Sequence, residues 1–326
     1  MQTVEWDILI GIFPTVVVDG LVLGFVYALI ALGYTMVYGV LQMINFAHSE
    51  IFVVGAFVGA EILLILQTNG MLGAFHPLVL LVVIVAAAMV VSGVLAVVVE
   101  RVAYRPLRGA PRLVPLISAI GVSFFLQDAI RLFESMWRNA FFLTYPTIPF
   151  FDARIVLYGE IDISMKSILA IISAVLMMIA LTLFVNRTKL GKAIRAVAED
   201  QATAGLMGIN VNRMVSLTFL IGGAMGGAAG ALFGVQFGTI NPYTGFIPGI
   251  KAFTAAVLGG IGNIPGAMLG GLVLGMLEAF AASYMSLLTG GAFGAEYKDI
   301  FAFGVLILIL MFRPRGLLGE VVREKA

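Results

Sequence analysis

Long stretches free of Asp, Glu, Lys and Arg, separated by short polar connectors, set the organisation of this chain. About 20 apolar residues carry an α-helix across a hydrocarbon core roughly 30 Å thick. On that measure the pattern predicts an all-α polytopic membrane fold with about eight spans plus a broken element. The spans fall near 21–43, 49–66 (apolar apart from Glu50 and Glu61), 77–99, 113–133, 168–185, 214–237 and 300–312. Residues 8–18 lie in the interface or add a further helix. The stretch 252–285 is too long for one upright span and short for two.

Composition agrees with the pattern. Of 326 residues, 61% are hydrophobic and 11% charged, with a mean hydropathy of +1.08, whereas soluble domains carry about 25% charge. A soluble enzyme, a nucleic-acid binder and a disordered chain are thereby excluded. The absence of cysteine removes disulfides and thiolate metal sites, and two histidines in separate segments, His48 and His76, make no metal set. The first residues carry Glu5 and Asp7 and no cation, unlike a secretory signal, so the start is expected to persist in the mature protein.

Placement of charge gives orientation, because Lys and Arg collect on the cytoplasmic side. Three basic clusters stand out: Arg101, Arg105, Arg108 and Arg112; Arg187, Lys189, Lys192, Arg195 and Arg213; Arg313, Arg315, Arg323 and Lys325. The loop 134–166 mixes Glu134, Asp152, Glu160 and Asp162 with three cations and suits the outside. The expectation is an N-terminus outside and a C-terminus in the cytoplasm. Parity then requires 252–285 to enter from the outside and return there. Its Gly259-Gly260-Ile261-Gly262-Asn263 turn marks broken backbone, tolerated at membrane depth only inside protein or beside water. Asn45 and Glu61, sixteen residues apart, are echoed by Asn263 and Glu278, fifteen apart. With Asn45 near the inner side and the Asn263 turn facing out, the echo is consistent with an inverted repeat.

Five residues are therefore candidates for a translocation path: Asn45, His48, Glu61, Asn263 and Glu278. Glu61 and Glu278 rank as the deepest carboxylates, and intramembrane acids are functional candidates by default. Structural pairing is the competing reading for both. Gly222, Gly226, Gly230 and Gly234 form a four-residue stripe suited to close helix packing. No second acid, metal-spaced histidine or nucleophile accompanies the carboxylates, so no enzyme and no metal site are expected.

The connector 186–213 is long and carries its own helix signals: Asp200 can cap a helix over 201–207, and Gly208 can stop it. It reads as a surface to be gripped rather than a bare charged link. No phosphate-binding loop is present, since Gly191-Lys192-Ala193 lacks the glycine spacing and the hydroxyl; any ATP must be bound by another chain.

The stretches Gly33-Tyr34-Thr35-Met36-Val37-Tyr38-Gly39, Ile44-Asn45-Phe46-Ala47-His48 and Gly55-Ala56 resemble the first signature of bacterial branched-chain amino-acid ABC transporter permeases. So do the loop from Arg195 to Ile209, the turn from Leu258 to Asn263, and Arg313-Pro314-Arg315-Gly316-Leu317. One departure is Ser49, where the family pattern places glycine. The resemblance runs from about Gly20 to Leu318 and implies the shorter permease of a high-affinity leucine, isoleucine and valine importer in a bacterial inner membrane. It implies a second related permease, two cytoplasmic ATPases and a periplasmic binding protein as partners, with no cofactor in this chain and no nucleic acid. It makes the chain one transmembrane permease domain over 1–326, whose ATPase-docking segment includes Arg195, Glu199, Asp200, Ala204, Gly208 and Ile209. Related permeases carry urea, amides or other amino acids. From the residues alone, an ion-coupled secondary transporter built on Glu61 and Glu278 is the alternative of a different class.

Overall fold

The computed structural model describes residues 6–111, 113–158, 161–260 and 262–319. Glu5, Arg112, Glu160, Ile261, Arg323 and Lys325 lie outside the described residues, as does the side chain of Asp7.

Helices dominate because the apolar runs are long and a spanning segment must satisfy its own backbone. Helix α1 runs unbroken over Trp6–Leu41 with Pro14 inside it, so the separate 8–18 element of the sequence reading is continuous with the first span. Then follow α2 (His48–Thr68), α3 (Pro77–Val99) extended by a π turn over Glu100–Tyr104, and α4 (Leu113–Trp137). The connector beyond α4 holds strand β1 (Leu143–Thr144), the single turn α5 (Pro149–Asp152) and a hairpin of β2 (Arg154–Tyr158) and β3 (Ile161–Ser164). Helix α6 (Met165–Arg187) leads to two short polar helices, α7 (Lys189–Glu199) and α8 (Gln201–Leu206). Helix α9 (Val211–Phe237), strand β4 (Thr239–Ile240), the half-length α10 (Phe246–Gly259), α11 (Ile264–Leu288) and α12 (Lys298–Phe312) complete the chain. Seven of the described helices are long and apolar enough to cross a membrane.

The core is α9, with α1 and α2 on one side and α3 on another, while α11 lies antiparallel along α1. Glycine permits these approaches. Gly222 sits on Gly33 and Val37 of α1, Gly230 on the Phe52 carbonyl of α2, and Gly227 on Ala88 and Ser92 of α3. Gly271 and Gly275 of α11 meet Ala28 and Gly24 of α1. Without a solvent-driven hydrophobic force between spans, such backbone-to-backbone packing is the main source of cohesion. The described residues of the three basic clusters collect at one end, whereas Arg138, Arg154 and Lys166 lie toward the other. Arg108 donates to Asn212 at the start of α9 (2.7 Å), and the segment after α12 folds against the end of α10.

Two helices start inside the bundle rather than at its edge. His48, the first residue of α2, lies against Gly226 of α9, fifteen residues beyond Val211 and hence about 22 Å up the helix at 1.5 Å per residue. Helix α1 passes this level at Gly33 and continues to Leu41; Gln42, with φ 52°, reverses the chain, and 42–47 climb back to depth. From the opposite end, 238–245 descend until Gly245 meets the Ser49 carbonyl, and α10 begins there.

The break in 252–285 is therefore a half-helix from mid-depth to the basic end, a turn at Gly260 and Gly262 (φ 106° and 85°), and a full helix back. The expected placing of Asn45 and the Asn263 turn at opposite ends is corrected. Gly262 lies against Gly39 near the end of α1, and Asn45 bonds to Tyr104 beyond α3, so both are at the basic end. The oppositely directed inward segments are 42–47 and 238–245.

Candidate functional site

Asn45, His48 and Ser49 stand where the first inward segment, 42–47, reaches depth. Asn45 Oδ1 accepts from the Tyr104 hydroxyl at 2.7 Å, while its Nδ2 is buried and has no partner among the described residues. The His48 ring is wedged between Gly33 and Gly226, edge-on to Tyr34 with 4.5 Å between centroids. Neither ring nitrogen makes a hydrogen bond of normal geometry among the described residues, though the Ile30 carbonyl lies within reach. Ser49 meets Gly245, just before α10, and Gly249 within it, so the chain arriving from one end abuts the chain arriving from the other at that residue. Among the described residues no side chain caps the starts of α2 or α10, whereas α3, α6, α8, α9 and α11 are capped by His76, Ser164, Asp200, Asn210 and Asn263.

The carboxylates separate by environment. Glu61 is half-buried near the end opposite the basic one, paired through both oxygens with Nε and Nη2 of Arg138 just beyond α4. Those hydrogen bonds raise the Arg138 pKa above its ordinary value. Glu61 is thus not among the deepest carboxylates, as the sequence reading ranks it. Glu50 and Glu100 are fully buried. Glu50 Oε1 accepts from Ser49, Ser123 and Gln127, tying α4 to α2, and its other oxygen is orphaned among the described residues. Glu100 pairs with Arg108 and accepts from Ser216 at 2.6 Å.

Glu278 is buried, as the sequence suggests, but within an ionic cluster. It accepts from Lys251 of α10 (2.8 Å), Tyr27 of α1 (2.7 Å) and Lys298 of α12 (2.9 Å), and Lys251 also pairs with Asp299 at 2.7 Å. The cause lies in the length of α12: fifteen residues make about 22 Å, less than a hydrocarbon core, so its charged first turn sits among spans and needs counter-ions. Lys251 is the residue that sequence reasoning missed. In the sequence it bounds a charge-free window beginning at 252, whereas α10 runs through it; a lone cation inside an apolar run is the available signal. Asn263 is occupied structurally. Its Oδ1 caps α11 at Gly266 N (2.8 Å) and its Nδ2 donates to the Leu318 carbonyl (2.9 Å).

The Gly222–Gly226–Gly230–Gly234 stripe meets, in order, α1, His48, α2 and Tyr145. Tyr145 is the second residue that sequence reasoning missed. The connector after α4 inserts it between Gly59 and Gly234, its hydroxyl donating to the Ala56 carbonyl at 2.5 Å. Pairing of β1 with β4 (Leu143 with Ile240, Thr144 with Thr239) fastens this strap to the second inward segment, 238–245.

At the basic end α7 packs Ile194 and Val197 inward and leaves Arg195 and Glu199 exposed. Asp200 caps α8 through Ala202 N (2.8 Å) and Thr203 N (3.0 Å), Ala204 is buried, and Gly208 turns the chain at φ 82°. Ile209 N closes the turn on the Ala204 carbonyl at 3.0 Å. Leu206 and Met207 project at 88% and 79% exposure beyond the long apolar spans.

Seven long apolar helices around a glycine-packed seam, with chain inserted from both ends and meeting at mid-depth, define a multi-pass membrane permease. Residues 16–310 match the family described as branched-chain amino acid transport system / permease component, and the chain belongs to that family. It is 48% identical over 313 residues to the high-affinity branched-chain amino acid transport system permease protein BraD of Pseudomonas aeruginosa, covering 94% of this chain and 96% of BraD. With the corresponding LivH protein of Escherichia coli it shares 46% identity over 310 residues, at the same coverages. A shorter match, 30% over 149 residues, covers 44% of this chain and 32% of the E. coli permease protein LivM. No solved structure gives a significant match.

Proposed function

We propose that this permease is the membrane subunit of an ATP-driven importer for branched-chain amino acids, working with a second related permease, two ATPases and a binding protein that delivers the solute. The cargo is that named for BraD and LivH, and the partial likeness to LivM supports a related permease as partner. In this reading the basic end faces the cytoplasm and the N-terminus lies outside, as the bias of Lys and Arg favours. ATP is bound and hydrolysed on the partner chains, and this chain carries no cofactor.

The observation that carries the reading is the α7–α8 surface. Apolar Leu206 and Met207 stand in the open at the end of α8, next to an α7 whose Lys189, Lys192, Arg195 and Glu199 are exposed, on a helix pair seated against α6 and α9. An exposed apolar tip on a polar mount suits docking. Residues Glu199, Asp200, Ala204, Gly208 and Ile209 shape it, and any displacement there passes directly into α9. The competing ion-coupled mechanism loses ground because both of its carboxylates are engaged by cations.

The test is reconstitution. Uptake of leucine, isoleucine or valine into proteoliposomes should require ATP, the ATPases and the binding protein. Uptake by this chain alone on an ion gradient would overturn the reading, and urea or amide uptake would reassign the cargo. Gly208→Arg, which forces a side chain onto a left-handed backbone where nothing else crowds it, should abolish ATP-coupled uptake while leaving membrane insertion intact.

A further inference from the structure

We propose that the permease has its own receiving site for the amino acid, a small cleft at the mouth opposite the basic end, with Tyr145 as its floor. The inference rests on the function proposed above and adds to it: the permease itself recognises the zwitterion and the short side chain, rather than accepting passively what a binding protein releases.

The cleft is about 80 Å3, room for about five waters at ~15 Å3 each. Its wall is Leu63, Ile148, Phe151 and Val235, from α2, the strap and α9. Asp152, at the end of α5, and Lys166, in the first turn of α6, line it too and pair across 3.1 Å. Their side chains are 50% and 25% exposed, so this polar pair remains open to water while the aliphatic wall lies beneath. An α-amino acid carries one charge of each sign on adjacent atoms. Its ammonium group can take Asp152 and its carboxylate Lys166, each exchanging one partner of an existing pair, so no net charge is buried. A branched aliphatic side chain then lies against the apolar wall, and the small volume favours it over the larger aromatic side chains.

Position supports the assignment. Tyr145 closes the cleft from below, between Gly59 and Gly234 where α2 and α9 offer no side chains. Its backbone N–H donates to the Gly238 carbonyl at 2.7 Å, beside β4 and the descending segment that leads to α10. An occupant of the cleft therefore touches both the plug and the chain that descends into the bundle. Withdrawal of Tyr145 would open a glycine-lined slot toward the mid-depth junction at Ser49.

The natural absence of cysteine allows a direct test. Thr147, exposed on the cleft, becomes this chain's single thiol in Thr147→Cys, with Val156→Cys on the exposed hairpin as the reference and labelling read on this chain alone. Both are made in the complete transporter in proteoliposomes, and labelling by a charged thiol reagent is timed without ATP or binding protein. Millimolar L-leucine, L-isoleucine and L-valine should slow labelling of Thr147→Cys severalfold and leave Val156→Cys unchanged. Isocaproate, isoamylamine and L-phenylalanine should not protect. Asp152→Asn in the same background should raise the half-protecting leucine concentration about tenfold or more, the loss of one charge-assisted contact. Equal protection by isocaproate, or no protection by leucine in a preparation that takes up leucine with ATP, would overturn the proposal. A preparation that never takes up branched-chain amino acids would overturn the parent reading instead.

Discussion

Segments 42–47 and 238–245 both carry chain into the middle of the bundle, but they differ in how they are held. The first starts exposed at Gln42 and ends enclosed: Asn45 and Ala47, then His48, Ser49 and Glu50 of α2, are buried, and α2 lies against α9 through glycine contacts. The second mixes buried Ile240, Pro242 and Gly245 with exposed Thr239 and Tyr243, and the start of α10 that follows it leaves Phe246 and Ile247 exposed. Its entry is held by local and polar attachments, β4 on β1 above and Lys251 on Glu278 and Asp299, while the far half of α10 packs by glycine, Gly259 on Gly266 and Ala255 on Gly270 of α11. A glycine seam is broken only by separating backbones, whereas ion pairs and two-residue strands can exchange partners. The contrast leaves α2 held by glycine packing along α9 and the 238–250 entry to α10 held by contacts that can exchange, which makes that entry the part expected to move.

The largest effect should come from immobilising segment 238–245. Thr144 and Thr239 are register partners at the spacing that disulfides accept, and both are exposed. Oxidised Thr144→Cys/Thr239→Cys should lose ATP-driven uptake completely and regain it on reduction; undiminished uptake when oxidised would make the strap static. Next comes the anchor of α10. Lys251→Met leaves Glu278 buried with one cation fewer and should cost about 3–5 kcal/mol in thermal unfolding, with Glu278→Gln recovering part of the loss in the double mutant. Gly226→Leu drives a side chain into His48 and should cost about 1–3 kcal/mol, lowering the yield of monodisperse protein. If it is tolerated and uptake survives, the seam is not fixed. The smallest effect belongs to Glu61→Gln. Its pair with Arg138 is partly exposed, so about 1 kcal/mol or less is expected, with uptake retained. Loss of uptake in a stable Glu61→Gln protein would return that carboxylate to the path.

What is legible in the sequence follows from which signals are local. Most span positions and the α8 cap and stop come from apolar runs and from residues a few positions apart, and they appear in the structure within a few residues, as with Asp200 and Gly208, whereas α1 begins fifteen residues before its expected span. The depth of His48 is not legible, because it depends on how far 42–47 climb back, which is set by contacts with Gly33 and Gly226 far along the chain. The same holds for Glu278: its burial can be read from the apolar run around it, but its partners come from α1, α10 and α12. Tyr145 sits in an aromatic-rich connector (Phe141, Phe142, Phe150 and Phe151 are its neighbours) that does not single it out, and only the facing glycines of α2 and α9 reveal its role.

Helix α1 is longer than a bilayer is thick. Its 36 residues make about 54 Å against a hydrocarbon core of roughly 30 Å, and α11 is bound to it along matching glycines. Hydrophobic mismatch is relieved by tilting, kinking or local thickening of the bilayer, and any tilt of α1 carries α11 with it and, through Glu278 and Lys251, reaches α10. The lipid chain length of the host membrane thus becomes a mechanical load on that half-helix, and transport rate should respond to acyl length as a spring responds to preload.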